Sequence, residues 1–283
     1  MVITGSVERI KKISRQKIKA GKIIGFVPTM GALHKGHLSL VKKAKKKCDF
    51  LVVSIFINPI QFDAGEGYGR YPQNFAKDKK LLKKEGVDLL FFPKANVMFP
   101  PRTSVYAYEN NLSKVLCGKS RPDHFEGVCT ILVKLFNIVR PNIAYFGQKD
   151  YQQTLIVKKL VKDFNFSIKI KILPIIREQN NLAMSSRNVY LKGKARKSSC
   201  CLYRSLVLAK KLIKLGERNP KRVISQMKQL VKFTELARID YVEIVNADNL
   251  KKLKKIEGKV LITLAVYIKK VRLIDNIILN VKK

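Results

Sequence analysis

Tryptophan is absent from the 283 residues, histidine occurs three times, and acidic side chains number 20 against 58 lysines and arginines. The formal charge of +38 invites a nucleic-acid reading. However, no basic run is interleaved with the aromatics that would stack on bases. Lysines recur in every segment (Lys42 to Lys47, Lys77 to Lys84, Lys251 to Lys255) and form no single stripe. The excess therefore reads as a lysine-rich covering of exposed helix faces, with no dedicated nucleic-acid surface. Long apolar runs are missing too. The longest, Phe50 to Ile57, is interrupted by Ser54 and falls far short of the ~20 residues that span a bilayer. Residues 1–20 hold no continuous signal-peptide core, so no membrane partner and a cytoplasmic location are expected. Cysteines number five, an odd count, with Cys200 and Cys201 adjacent and no Cys-x-x-Cys pair. That pattern argues against a disulfide framework or a thiolate metal site and predicts free thiols.

The most informative stretch is KIIGFVPTMGALHKGH, Lys22 to His37. An apolar strand (Ile23, Ile24, Phe26, Val27) meets Pro28, which cannot donate to a sheet ladder. The chain then passes Gly31 and Gly36 and opens into a helix at about His37. A strand, a glycine-bearing turn and a helix N-terminus make an anion site, because free N–H groups and the helix dipole converge there. Two of the three histidines, His34 and His37, lie in that turn, and a spacing of three puts both rings on one side. Imidazole N–H groups so placed suit phosphate oxygens on which charge develops.

Residues 7–20 read as an amphipathic helix, FLVVSIFIN as a buried parallel strand ending at Asn58-Pro59, and 59–72 as a loop with Gln61, Gly65, Gly67, Gly69 and Tyr71. A helix capped by Asn74 runs to Glu85, and Val87 to Pro93 is a third buried strand. Ser104 to Tyr108 reads as a further strand. A helix over Val128 to Val139 follows, then a strand over Ile143 to Phe146 leading through GQKDYQQ into a helix to about Lys162, and a strand over Ile168 to Ile176. This alternation predicts a doubly wound, parallel-sheet α/β domain over 1–175, Rossmann-like, with ligands beyond the strands' C-terminal ends. Beyond 176, helices around 192–216 and 220–234 precede a strand at Ile239 to Asn246 and a hairpin broken at Lys269-Lys270. Residues 176–283 are thus expected to form a smaller α+β domain acting as a lid.

PTMGALHKGH is similar to the signature of the pantoate–β-alanine ligase family, within the HxGH nucleotidyltransferase superfamily. The blocks SIFINPIQF, RYP, RPDHFEGV, YFGQKDYQQ, LAMSSRN and RLIDN resemble that family in the same order along nearly the whole chain. His-x-Gly-His alone also marks class I aminoacyl-tRNA synthetases; the blocks in register are far more specific. The resemblance implies that ATP adenylates the carboxylate of pantoate, and that the amine of β-alanine then displaces AMP. It implies ATP binding by Met30, Gly31, Ala32, Leu33, His34, Lys35, Gly36 and His37, with His37 the usual proton donor. Gly147, Gln148, Lys149, Asp150, Ile176, Met184, Ser185, Ser186 and Arg187 would complete the ATP site, with His34, Lys149 and Arg187 also catalytic. Gln61 and Gln153, helped by Asn58, would bind pantoate. Mg²⁺ is implied by ATP chemistry, with Asp78 where the family carries an acid, and a homodimer is implied by the family alone. Two positions depart from the pattern: Gln148 stands where glutamate is common, and Asn181 replaces a usual glycine, a change compatible with left-handed backbone. His124 carries no role beyond a structural or substrate-loop hydrogen bond. A different nucleotidyltransferase that releases a nucleotide-linked product, or an RNA-binding protein, stands as the alternative.

Overall fold

A computed structural model describes residues 1–62 and 68–282; the loop glycines Gly65 and Gly67 lie outside these. The chain opens with β1 (Val2–Thr4) and α1 (Val7–Lys19), then β2 (Ile24–Thr29), α2 (Lys35–Lys45) and β3 (Phe50–Ile55). Next come α3 (Phe75–Lys84), β4 (Leu89–Phe91), the short α4 (Ala95–Met98) and α5 (Cys117–Ser120), and the long α6 (His124–Val139). β5 (Ile143–Gly147), α7 (Tyr151–Asp163) and β6 (Lys169–Leu173) complete a parallel sheet in the order β1-β4-β3-β2-β5-β6.

Its middle strands are apolar on both faces because helices cover both. Phe26 and Val52 pack with Ile10 of α1 and Phe136 of α6. Val27, Leu51 and Val53 pack on the other face with Val41 of α2 and Leu82 of α3. The winding runs outward from β2 through β3 to β4 and then restarts on β2's other side with β5. The crevice between β2 and β5 is therefore the topological switch point, where ligands of such sheets collect. Pro28 helps open it. The backbone of Ile24 engages Asn142 on the β5 side, and the Thr29 carbonyl accepts from Phe56 on the β3 side. By the two-residue period Pro28 presents its missing N–H toward β5, and β2 pairs with β5 only at Gly25 and Phe26.

The second part comprises α8 (Gly193–Ser198), α9 (Cys201–Lys214), α10 (Pro220–Lys232) and the antiparallel sheet β7 (Ala237–Asn246), β8 (Gly258–Ile268) and β9 (Val271–Val281). Leu206 of α9 and Met227 of α10 pack on Ile262 and Leu264 of β8.

Several expectations need correction. α2 begins at Lys35, two residues early, because His34 caps it. β1 pairs with β4 and is too short to read from pattern. Ser104 to Tyr108 pairs with no strand among the described residues; instead Ala107 N–H donates to Thr130 Oγ1 on α6 at 2.9 Å. The helix expected over 192–216 is broken between α8 and α9, where Ser199 Oγ donates back to the Arg196 carbonyl at 2.7 Å.

Candidate active site

The loop after β2 turns by left-handed backbone, with φ of +81° at Gly31 and +48° at Ala32. Strain of this kind persists only where neighbours hold it. Asp78 of α3 is 2% exposed, and its Oδ1 accepts the Leu33 N–H at 2.9 Å. From the opposite side, Ser186 Oγ donates to the Ala32 carbonyl at 3.1 Å. His34 Nδ1 accepts the Gly36 N–H at 3.1 Å, which makes His34 the N-cap of α2 and leaves its ring proton on Nε2. The glycine of the motif now has a physical reason. A Cβ on Gly36 would lie 2.8 Å from His34 Cε1 and 2.9 Å from Nδ1, so any side chain there would expel the capping ring.

The rings of His34 and His37 stack with centroids 4.0 Å apart. Burial, then the Lys149 charge, lowers the His34 pKa to about 4. Burial, then His34 and Lys149, pushes His37 well below its usual value. Both imidazoles are therefore neutral near pH 7, and His37 Nδ1 is buried without a hydrogen-bond partner among the described residues.

Across the crevice, β5 runs into the turn Gln148–Asp150 at the start of α7. Lys149 Nζ lies 3.0 Å from Asp150 Oδ1. A third segment closes the nucleotide side. Met184 N–H donates to the Ile176 carbonyl at 2.9 Å, and Ser185 Oγ accepts the Arg187 N–H at 3.2 Å. Asn181 takes φ +66°, so the turn survives the loss of glycine.

Adjacent glutamines on α7 both border the crevice but differ in what holds them. The Gln152 amide is spent on backbone, accepting the Cys117 N–H at 3.0 Å and donating to the Leu112 and Val115 carbonyls, whereas Gln153 is half-buried at the crevice. Gln61 is fixed through its backbone. Its carbonyl accepts from His124 Nδ1 at 3.0 Å and from Arg121 at 3.4 Å. Asn58 Nδ2 donates to the Gly127 carbonyl at 2.9 Å, and a Cβ on Gly127 would lie 2.4 Å from the Ile60 carbonyl oxygen. The RPDHFEGV block is thus a clamp on the Gln61 turn. Burial lowers the His124 pKa to about 3, so this ring is a neutral Nδ1–H donor. Sequence alone contained the His124 signal but not its partner.

One cavity of about 300 Å³ is lined by Met30, His34, Gly36, His37, Asn58, Gln61, Gly147, Lys149, Asp150, Gln153, Ile176 and Met184 to Arg187. Gly31, Ala32, Leu33 and Gln148 are not among its lining residues, and Lys35 lies outside, in a shallow cleft shared with Arg177 and Met184. Tyr71, not singled out for a role beforehand, lies on the same wall beside Ser186. Asp78 holds the loop backbone through the Leu33 N–H and is not among the residues lining the cavity. Among the described residues no three histidine, cysteine or acidic side chains converge as a metal cage. The donor set fits a Mg²⁺ held mainly by nucleotide phosphates and water, with Asp150 the acidic side chain at hand.

A family model described as pantoate-β-alanine ligase matches residues 2–278. A pantothenate synthetase from Caldicellulosiruptor saccharolyticus is 50% identical over 281 residues, covering 99% of this chain and all of that protein. The crystal structure of pantothenate synthetase from Thermus thermophilus superposes with a TM-score of 0.92 at 37% identity, covering 98% of this chain and 99% of that one. A pantoate-β-alanine ligase from Francisella tularensis, solved in complex with β-γ ATP and β-alanine, gives a TM-score of 0.80 at 36% identity over 98% and 97% of the two chains.

Proposed function

The chain belongs to the pantoate–β-alanine ligase family, and on that premise we propose how its residues divide the work of ligation. The reaction is the ATP-dependent condensation of pantoate with β-alanine. The pantoate carboxylate attacks the α-phosphorus and pyrophosphate leaves; the β-alanine amine then attacks the acyl carbon of the adenylate, and AMP leaves. No side-chain nucleophile is needed. The site has to align, neutralise charge and exclude water.

The observation that carries the reading is one cavity at the β2–β5 switch point lined by neutral histidines of the β2–α2 unit, by Lys149 of the β5–α7 unit and by Arg187 of the third segment. His34 and His37 would donate hydrogen bonds to the phosphates from N–H groups; His37, once the phosphates' negative charge favours its protonated form, would be the candidate to pass on a proton. Lys149 and Arg187 would supply permanent charge to the triphosphate, with Ser185 and Ser186 beside them. Ile176 would lie against the adenine. Gln61 and Gln153 would hold pantoate, with Asn58 setting the Gln61 turn. Mg²⁺ would arrive with ATP and neutralise phosphate charge. The Francisella relative's bound ATP analogue and β-alanine support the same substrates here.

Three further readings belong with this one. The five cysteines are free thiols, which suits a reducing cytoplasm. Residues 176–283 would act as the lid. Homodimerisation fits the exposed apolar segment with Val105, Tyr106 and Tyr108, and light scattering on the purified protein tests it.

AMP release is the decisive assay. With ATP and pantoate, sustained AMP production is expected only after β-alanine is added; a nucleotide-linked product without AMP would overturn the assignment. His37→Ala and Lys149→Ala should each lower turnover by ~100-fold or more with the fold retained.

A further inference from the structure

The RLIDN block on β9 borders the cavity through Arg272, Leu273, Ile274 and Asn276, and two of its residues are among the most buried polar groups of the described residues. Asp275 is 1% exposed and Asn276 is 3% exposed. We propose that Asn276, reaching out of the small sheet, is a positioning residue for Lys149, and that Gln148 is the side chain that completes this latch.

Asn276 Nδ2 donates to the Lys149 carbonyl at 2.9 Å and to the Gln148 carbonyl at 3.1 Å. Two carbonyl acceptors settle which end of the amide carries the nitrogen. Its Oδ1 must therefore face Gln148, and it requires a donor there. Gln148 Nε2 donates to it at 3.3 Å. A carboxylate at 148 could only oppose Oδ1 with another acceptor, so glutamine at this position matches the orientation of Asn276. No side chain of the turn itself caps the Gln148–Asp150 segment, which leaves the small sheet to hold it.

The neighbouring residue does the same for the other cationic segment. Asp275 accepts two hydrogen bonds from Arg177, at 2.6 and 2.9 Å, and also accepts the Asn276 N–H at 2.8 Å. Arg177 forms a bridge to Ala183, immediately before Met184 to Arg187. Consecutive residues of β9 thus hold the segments bearing Lys149 and Arg187 in one register.

The proposal rests on Lys149 meeting the triphosphate, so the test is a double-mutant cycle on the full chain, read by calorimetric titration with ATP and with pantoate. Asn276→Ala should weaken ATP binding about tenfold, the loss expected on releasing a hydrogen-bonded turn. In a Lys149→Ala background the same change should cost less than about twofold, because the group being positioned is gone. Pantoate affinity should change less than about twofold in both. Asn276→Asp removes both donated bonds at nearly constant volume, should follow the same pattern and serves as the second cycle if Asn276→Ala does not fold. Equal ATP losses in the presence and absence of Lys149, or equal losses for ATP and pantoate, would overturn the latch. Failure of the unaltered chain to bind ATP would instead overturn the assigned function.

Discussion

The two strand–turn–helix units that face each other across the crevice look alike in outline and are built differently. The β2–α2 unit is held mostly from nearby. His34 caps its own helix, Gly36 leaves room for that ring, and Asp78 of α3, which packs on the same face of the sheet as α2, holds Leu33. It presents neutral imidazoles and backbone N–H groups. The β5–α7 unit is held by Asn276, 127 residues away in sequence from Lys149, and presents permanent charge. Positioning and charge are thus separated onto two walls. Between these two units a triphosphate would find its full cation at Lys149, and the β2–α2 side could tighten by hydrogen bonding as charge shifts in the transition state.

The most damaging way to break this contrast is Gly36→Ala. The added methyl would displace the His34 ring from its cap and from the stack with His37. Turnover should fall ~100-fold, whereas stability should fall only ~1 kcal/mol, the cost of a lost cap. Steady-state kinetics beside denaturant melts measure both; a variant with normal turnover would show that the capped ring geometry is irrelevant to the chemistry.

Asp78 separates anchoring from metal binding. Asp78→Ala orphans the buried Leu33 N–H and should cost ~1–3 kcal/mol of stability. Asp78→Asn keeps an Oδ1 acceptor and removes the charge. If the residue anchors the loop, the Asn variant keeps its turnover and its Mg²⁺ dependence. A Mg²⁺ requirement shifted to higher concentration in the Asn variant would instead support the ligand role.

What can be read from the sequence follows the same division. The β2–α2 unit is local, so apolar periodicity, Pro28 and two glycines are enough to place it. Its helix start is read two residues late because histidine is not a usual cap. The parallel strands are legible because helices on both faces make them continuously apolar. Ser104 to Tyr108 has the residues of a strand but no partner, and pairing is not a local property. Gln152 and Gln153 are adjacent in sequence and both border the cavity; only the packing around α7 shows that the Gln152 amide is consumed by the carbonyls of residues 112 and 115. The clamp on Gln61 and the latch on Lys149 join segments about 60 and 130 residues apart, beyond any pattern argument.

The smallest effect concerns pH, and it tests whether the two walls sense each other. Burial lowers the pKa of His34 to about 4 and of His124 to about 3, and His37 shifts the same way. Below the ordinary histidine value of ~6.5 the unfolded chain therefore binds protons that the folded chain refuses. Stability from this source is fully present above about pH 6.5 and is lost as pH falls toward about 4 for His34 and about 3 for His124. Burial raises the pKa of Asp78 and Asp275, which acts with the opposite sign and begins to offset the loss only near the carboxylate range. Denaturant melts between about pH 7.5 and 5.5 should thus show stability declining with acid, and His124→Asn should make the decline shallower. Lys149 contributes to the depression at both His34 and His37. Lys149→Met should accordingly raise both values and flatten the slope further, a change smaller than removing a ring outright because burial is the larger cause. An unchanged slope in that variant would mean the lysine and the histidines do not share a field across the crevice, and that the two walls act independently until nucleotide joins them.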